Sequence, residues 1–240
     1  MSFLGDVVAW FTDAARWDGS PSSIPQRLAE HVRLTLVSMV LAALVAVPLG
    51  VLLGHLRRYG TLAQNVGNVG RALPSFAILV LGAQLWGISQ VFGMSKAAVV
   101  ALVALAIPPL LTTSYVAVAE VPDTVRSTAR AMGMTGSQAL WRAELPLAMP
   151  LLWAGVRLAT LQVVATATLA AVVASGGLGR YIVDGFATQD EPQIVGGAVL
   201  VAALALSIEG VLALLSRVVI PRPLQDSRQR WAVAHRKEPR

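Results

Sequence analysis

The chain has 240 residues, of which 55% are hydrophobic and only 13% are charged, with a formal net charge of +6. Soluble domains carry about 25% charged residues, so this composition argues against an ordinary soluble enzyme. The chain has no cysteine and three scattered histidines, which excludes disulfides, thiolate catalysis and cysteine-ligated metal sites and disfavours a histidine-ligated metal centre.

The first 30 residues are predicted to form an extracytoplasmic segment at the membrane surface. The start MSFLGDVVAW has no basic residues before its short apolar run, which does not fit a signal peptide. Apolar residues from Phe3 to Phe11 recur at helical spacing on one side, which predicts a short interfacial helix. The residues GSPSS at 19–23 then indicate a loop.

Five long apolar stretches follow and predict five transmembrane helices. About 20 helical residues, each rising about 1.5 Å, cross some 30 Å of hydrocarbon. Helices suit segments this long because every backbone polar group must be paired inside lipid. The predicted limits are 31–54, 62–90, 97–119, 147–174 and 193–219. Small residues are predicted to let these helices approach closely, namely Gly50, Gly54, Gly67 and Gly70.

The distribution of basic residues predicts how the helices are oriented. Five spans place the two termini on opposite sides. With the N-terminus outside, inner segments hold twelve of the 19 basic residues and outer segments hold five. The positive-inside rule therefore predicts an outer N-terminus and an inner C-terminus. The predicted fold is an all-α polytopic bundle, with a transmembrane domain at 31–220 and a basic cytoplasmic tail at 221–240 facing lipid headgroups.

The longest polar interruption of the apolar pattern is predicted to be a cytoplasmic loop at 120–146. Pro122 suits the first turn of a helix, and Asp123 favours the positive end of its dipole. Gly133 is a natural helix stop. These residues predict a short amphipathic helix between them.

A second short helix is predicted directly after it. Thr135 and Gln138 have the spacing of a capping box, and this helix is predicted to bury Leu140 and Trp141. Two interpretations remain open from the residues alone. The segment is either a linker lying on the headgroups or a rigid docking element for a cytosolic partner.

The motif in this loop carries a family resemblance. The loop contains, in this order, Ser127-Thr128-Ala129, three further residues, Gly133, nine further residues and Ala143-Glu144-Leu145-Pro146. This spacing resembles the EAA loop of bacterial ABC-importer permeases, and in particular the branch that imports glycine betaine, choline and carnitine. The resemblance to that branch extends over roughly residues 30–222. It includes AVPLGVLLGHLRR in the first span, RALPSFAILVLGAQLWG in the second and the segment from RAMGMTGSQALWRAELP onward. Ser127 and Thr128 depart from the family, which has Glu and Ala there.

The resemblance implies a type I importer permease in the bacterial inner membrane, with no catalytic site or cofactor of its own. Its implied partners are a second, identical or different, permease, two cytosolic ATP-binding subunits and an extracytoplasmic binding protein, with no nucleic acid. The residues implied to contact the ATPase are Ser127, Thr128, Ala129, Met132, Gly133, Met134 and Thr135. The chain has no phosphate-binding loop of the G-x-x-x-x-G-K-[ST] type, and SGGLG at 175–179 indicates a tight turn instead.

Polar side chains within the spans are candidates for the translocation path of a zwitterionic or cationic solute. They are Gln84, Trp86, Thr112, Thr113, Ser114, Tyr115, Gln162, Thr166 and Thr168. Tyr115 or Trp86 offers an aromatic face for a cation. The alternative for each position is an interhelical hydrogen bond or a packing contact.

Arg71, Arg157 and Glu209 fall well inside the predicted spans, 8 to 10 residues from their cytoplasmic ends. Ionised groups are costly in the bilayer and are usually paired. The three lie at similar depths from the cytoplasmic side, so Glu209 is predicted to pair with Arg157 or Arg71. The alternative is that each arginine reaches the inner headgroups separately.

Three other functions remain as alternatives. The same architecture importing methionine or a sulfonate fits the sequence. A stand-alone secondary transporter is disfavoured because paired inverted repeats are not apparent in five spans. A small intramembrane enzyme would need a cluster of His, Asp or Glu within the spans, and the single glutamate there, Glu209, is too few.

Overall fold

The computed structural model describes residues 2–57, 60, 65, 75–87, 89–91, 94–173 and 175–220, and these residues are almost entirely helical. The N-terminal half contains α1 (Phe3–Thr12), α2 (Ile24–Leu56), α3 (Ser75–Trp86), a hairpin of β1 (Gln90–Val91) and β2 (Met94–Ser95), and α4 (Lys96–Ala119). The C-terminal half contains α5 (Asp123–Ala131), α6 (Gly136–Ala139), a π turn (Leu140–Glu144), α7 (Leu145–Ala167), a 3-10 segment (Thr168–Val173), α8 (Gly179–Thr188) and α9 (Glu191–Val219).

Four helical stretches in the described part of the chain are long and apolar enough to cross a membrane. They are Ile24–Leu56, Lys96–Ala119, Gly136–Val173 and Glu191–Val219. The predicted span at 62–90 falls largely outside the described residues, and within it the structure describes the 12-residue helix α3. The count of five transmembrane helices therefore stays a prediction.

The predicted limits of the first and fourth spans were too narrow at their N-terminal ends. Helix α2 begins at Ile24 rather than at residue 31, and its first turns carry charged residues that pair along the helix, with Arg27 Nη1 3.0 Å from Glu30 Oε2. The fourth stretch begins at Gly136 because α6, the π turn and α7 run on continuously. Pairing and capping keep polar turns helical beyond the apolar part of a span, and a search for uncharged residues misses those turns.

Helices α2 and α4 are in close contact because glycines face the α4 backbone. A Cβ atom added at Gly50 would lie 2.6 Å from the carbonyl oxygen of Leu111, and one added at Gly54 would lie 2.6 Å from that of Tyr115. Spacing of small residues four apart allows backbones to approach this closely in membrane helices. The prediction of close approach is confirmed for Gly50 and Gly54, while Gly67 and Gly70 lie outside the described residues.

Helix α4 is central in the described bundle and α9 is peripheral. In the most apolar 18-residue segment of each helix, 56% of the residues of α4 are buried, compared with only 6% of those of α9. The core joins α2, α3, α4 and α7 through a cluster of small and aliphatic residues such as Ala42, Leu102 and Val163. Among the described residues, the bundle therefore leaves α9 with a long apolar surface that no other helix covers.

The N-terminal helix α1 was predicted and is present, but one of its aromatic residues packs on protein. Trp10 is buried against α9, where a Cβ added at Gly196 would lie 2.5 Å from its ring. The Trp10 ring also meets Tyr181 edge to face with centroids 5.3 Å apart. Helix α8, which carries Tyr181, was not predicted, because its short amphipathic pattern follows a glycine-rich turn and lacks the length of a span.

Candidate coupling site and translocation path

The first short helix of the polar loop, α5, has the predicted start and stop. Pro122 precedes the helix, and Asp123 occupies its first turn. Gly133 has φ of +77°, a left-handed conformation that favours glycine. The Met134 N–H donates to the Ala129 carbonyl oxygen over 3.1 Å, which closes the end of the helix.

The second short helix has the predicted capping box. The Gln138 N–H donates to Thr135 Oγ1 over 3.3 Å, and the Thr135 N–H donates to Gln138 Oε1 over 2.9 Å. Leu140 is half-buried as expected, but the prediction for Trp141 is wrong, since this residue is 65% exposed. The physical reason is the π turn, which widens the helix at this point and leaves Trp141 outside while Glu144 turns inward.

The residues implied to couple to an ATPase lie on and around α5, and some of them surround one groove. The groove measures about 320 Å³ and is lined by Thr124, Val125, Thr128, Ala129, Met132, Met134 and Ala143. Met132 is 65% exposed on its rim and Ala129 is buried at its side. Of the remaining candidates, Gly133 and Thr135 form the turn between α5 and α6, and Ser127 is exposed with its hydroxyl bonded to the Thr124 carbonyl oxygen over 3.0 Å. The structure thus brings four of the seven residues to one apolar surface.

A buried ionic cluster attaches this loop to the ends of the membrane helices. Glu144 is 2% exposed, and its Oε2 atom lies 2.8 Å from His55 Nδ1 and 3.2 Å from Arg126 Nη2. Burial lowers the pKa of the Arg126 guanidinium, and the Glu144 carboxylate counteracts this shift. Sequence reasoning quoted Glu144 only within the motif and did not identify His55 or Arg126. The available signal was the position of the charged Glu144 just before an apolar helix. This signal does not identify its partners His55 and Arg126, because they lie on other elements.

A second, more exposed ion pair joins the same parts of the molecule. Arg57 ends α2 in a left-handed conformation with φ of 47° and pairs with Asp123 at the start of α5. Arg57 Nη2 also donates to the Val121 carbonyl oxygen over 2.7 Å. The Asp123 side chain is 81% exposed, so this pair contributes little stability by itself.

The candidate path residues are spread over α3, α4, α7 and the 3-10 segment that follows α7, and several make local contacts. On α3, Gln84 is exposed, and the Trp86 ring faces Lys96 Nζ, which lies 5.1 Å from its centroid. On α4, Ser114 is buried beside Gly50, Tyr115 contacts Gly54 and Gly60, and Thr112 and Thr113 are half-buried. On α7, Gln162 and Thr166 are half-buried.

Two of the threonines donate hydrogen bonds to carbonyl oxygens three or four residues before them in the chain. Thr113 Oγ1 donates to the Pro109 carbonyl oxygen and Thr168 Oγ1 to that of Ala165, each over 2.7 Å. Such bonds satisfy a hydroxyl locally and leave no requirement for a solute. A role of the nine residues in the path stays a prediction.

The structure brings Arg157 and Glu209 together across α7 and α9. Arg157 Nη2 pairs with Glu209 Oε1, and Arg157 Nε lies 3.4 Å from Glu209 Oε2. The side chains are 33% and 31% exposed. Trp153 Nε1 donates to the Leu212 carbonyl oxygen over 3.1 Å and strengthens the same contact between helices. Arg71, the other predicted partner, lies outside the described residues.

Replacing Glu209 with glutamine is expected to destabilise the contact between α7 and α9, since Arg157 then keeps its charge without a counter-ion. A fully buried pair costs about 3–5 kcal/mol to break, and the partial exposure of this pair lowers the expected loss below that range. Thermal stability of the purified Glu209→Gln, Arg157→Gln and double variants forms a double-mutant cycle. We expect the double variant to lose less than the sum of the two single losses. Strictly additive losses would contradict a direct interaction.

The glycine-rich turn before α8 is held to the start of α2. Gly176 and Gly177 have φ of +44° and +79°, and the Gly177 N–H donates to Glu30 Oε2 over 2.8 Å. The Tyr181 hydroxyl donates to the Ser22 carbonyl oxygen over 2.6 Å, and burial raises the pKa of this phenol, which keeps it a donor. These contacts confirm a tight turn at this position, and they involve Glu30, which sequence reasoning did not identify.

Comparison with known proteins identifies the family. The model of the family described as "Binding-protein-dependent transport system inner membrane component" matches residues 46–224. The glycine betaine/carnitine/choline transport system permease protein OpuCB of Bacillus subtilis is 36% identical, over 85% of this chain and 91% of that protein. The choline transport system permease protein OpuBB of the same organism is also 36% identical, over 82% and 88%. The carnitine transport permease protein OpuCB of Listeria monocytogenes is 32% identical, over 83% and 89%.

Solved structures show the same architecture. The MetNI methionine ABC transporter, in an inward-facing conformation, matches with a TM-score of 0.70 and 25% identity, over 82% of this chain and 96% of that chain. An amino acid ABC transporter crystallised with histidines matches in fold, with a TM-score of 0.63 and 19% identity, over 80% and 91%. The helical fold, the loop between α4 and α7 and the family match agree with one another, and the chain belongs to the family of inner membrane components of binding-protein-dependent transport systems.

Proposed function

We propose that this chain is the membrane-spanning permease subunit of an ATP-driven importer that brings an osmoprotectant, such as glycine betaine, choline, carnitine or proline betaine, into the cytoplasm. The observation that best supports this proposal is the similarity to the permeases of B. subtilis and L. monocytogenes, whose names specify glycine betaine, carnitine and choline. Each similarity extends over most of both chains. The chain itself supplies helices and a docking surface rather than catalytic groups.

The groove on α5 is the proposed docking surface for a separate cytosolic ATPase. Its residues combine an exposed Met132 with small neighbours such as Ala129 and Thr128, which leaves room for a side chain from a partner. Methionine adapts its shape to a binding partner more readily than branched side chains do. Docking here would allow ATP-driven movements of the partner to displace α5, and the equilibrium between inward and outward access then shifts with the state of the ATPase.

The side of α9 that meets α7 is the proposed contact with further components of the membrane assembly. An ion pair about one-third exposed, formed by Arg157 and Glu209, lies on the side of α9 that meets α7. Ionised groups within a bilayer face protein or a water-filled cavity rather than lipid. This side of α7 and α9 therefore suits a second permease subunit or the translocation path, while the rest of α9 suits lipid. An outer N-terminus and an inner C-terminus place α5 on the ATPase side in this arrangement.

The test is a reconstitution of the tagged chain with the ATP-binding and binding-protein subunits that purify with it. ATP hydrolysis and uptake are measured in vesicles with glycine betaine, choline, carnitine and methionine. We expect stimulation by at least one of the first three solutes and none by methionine. Stimulation by methionine alone would favour the importer of another solute. Uptake by the purified chain without ATP or an ATPase would contradict the proposal and favour a secondary transporter.

A further inference from the structure

Glu144 lies at a junction of three structural elements whose relative positions matter for coupling. The carboxylate belongs to the π turn that leads into α7, His55 lies in the last turn of α2, and Arg126 lies in α5. A single oxygen, Oε2, contacts both partners, at 2.8 Å from His55 Nδ1 and 3.2 Å from Arg126 Nη2. With an exposed fraction of 2%, Glu144 makes these contacts out of solvent.

Arg126 extends the junction to the C-terminal ends of two membrane helices. Its Nη2 atom donates to the carbonyl oxygen of Val118, near the end of α4, over 2.7 Å, and its Nη1 atom donates to the carbonyl oxygen of His55 over 3.3 Å. The last carbonyl groups of a helix lack partners within the helix, and the C-terminal end of the helix dipole favours a cation. One guanidinium on α5 thus satisfies the ends of both α2 and α4.

Burial makes the junction dependent on the charge of Glu144. Arg126 is 7% exposed, so its guanidinium is separated from water and needs a nearby anion. The neighbours Ser127 and Thr128 on the same helix are exposed and leave the opposite face of α5 free. Helix α5 therefore has an inner face attached to three membrane helices and an outer face available to a partner.

The π turn explains how the carboxylate reaches this position. A π turn inserts an extra residue into a helix and rotates the residues that follow it, and such turns are frequent at functional sites. In this chain the turn spans Leu140–Glu144, with Trp141 outside and Glu144 inside. An uninterrupted α-helix from Gly136 to Ala167 would change the direction of Glu144 relative to His55 and Arg126.

We infer that Glu144 is a positioning residue that holds α5 to α2, α4 and α7, so that a displacement of α5 by a partner moves these helices together. The inference rests on the proposed function, because it assigns to Glu144 the transmission of movement from the docking surface. The pair Arg57–Asp123 also joins α2 to α5, but Asp123 is 81% exposed and can exchange its partner for water. Asp123→Asn is therefore a matched control for Glu144→Gln.

The first measurement uses the purified full-length permease without an ATPase. The natural chain has no cysteine, so cysteines introduced at the exposed positions Ser127 and Leu52 accept spin labels at α5 and α2 selectively. We expect Glu144→Gln to broaden the distribution of distances between the labels at least twofold, and Asp123→Asn to leave it within experimental error. An unchanged distribution in Glu144→Gln overturns the inference whether or not an ATPase binds to the chain.

The second measurement uses the reconstituted importer and separates positioning from folding. We expect Glu144→Gln to retain ATPase capture and basal hydrolysis within about twofold, while the stimulation of hydrolysis by solute-loaded binding protein falls about tenfold. The double variant Glu144→Gln, Arg126→Gln removes both charges and is expected to regain thermal stability without regaining stimulation. Stimulation that returns together with stability would assign Glu144 a purely structural role. Failure of the unsubstituted chain to capture any ATPase would refute the proposed function. The distance measurement would still test whether Glu144 fixes the position of α5 relative to α2.

Discussion

Replacing Gly50 with alanine is expected to separate α2 from α4 and to destabilise the bundle by about 1–3 kcal/mol, which is typical of inserting a methyl group into a packed core. The added Cβ would lie 2.6 Å from both the Leu111 carbonyl oxygen and the Ser114 Cβ. A backbone oxygen cannot rotate away as a flexible side chain can. The helices must therefore move apart, and the contacts of Ala46 and Ala42 in the same interface weaken with them.

The matched control is Gly210→Ala on α9, where nothing in the described structure lies within 4 Å of an added Cβ. Alanine favours a helix over glycine by up to about 1 kcal/mol, so this variant is expected to be neutral or slightly more stable. Both variants are compared by the melting temperature of the detergent-purified protein and by the amount of monodisperse protein recovered. Equal stability of the Gly50 and Gly210 variants would contradict the close approach of α2 and α4.

Replacing Met132 with aspartate is expected to weaken capture of the ATPase by about tenfold or more, because docking would bury a carboxylate without a counter-ion. Met132 is 65% exposed on the rim of the α5 groove, so the substitution leaves the fold of the permease intact. The measurement is the fraction of ATPase retained by the tagged permease at a series of ATPase concentrations, with monodispersity as the check on folding.

Two control variants test whether the groove itself is responsible. Met132→Leu keeps an apolar side chain of similar volume and is expected to retain the ATPase. Trp141→Asp changes an equally exposed aromatic residue that does not line the groove, and it is expected to weaken capture less than Met132→Asp does. Equal losses for the aspartate variants at positions 132 and 141 would contradict docking at the groove and favour a general effect of negative charge on this side.

Local patterns in the sequence predicted the helical elements best where one segment determines its own conformation. The capping box of Thr135 and Gln138 was predicted because both hydrogen bonds connect residues three apart. The stop at Gly133 was predicted because only its own backbone has to adopt a positive φ. The spans at Lys96–Ala119 and Glu191–Val219 agree with their predicted limits within a few residues, since hydropathy is a property of the segment itself.

The motif in the polar loop identified the candidate site only in part. Its spacing pointed to α5 and to the family, and the family match supports that interpretation. The sequence also predicted that Glu209 pairs with Arg157 or Arg71, and the structure places Glu209 beside Arg157. The three residues His55, Arg126 and Glu144 were not predicted as a cluster, because His55 and Glu144 are separated by 89 positions and nothing local specifies their contact.

The amino-acid sequence alone established that the chain is a helical membrane protein of this family, because apolar length, helix caps and motif spacing are all read along one segment. Only the folded arrangement decided that Gly50 lies against the α4 backbone, that Trp10 packs on α9 and that Glu144 rather than Trp141 turns inward. These outcomes depend on which helix faces meet and on one extra residue in a π turn. Such features arise from packing between distant segments, so hydropathy and local propensity do not predict them.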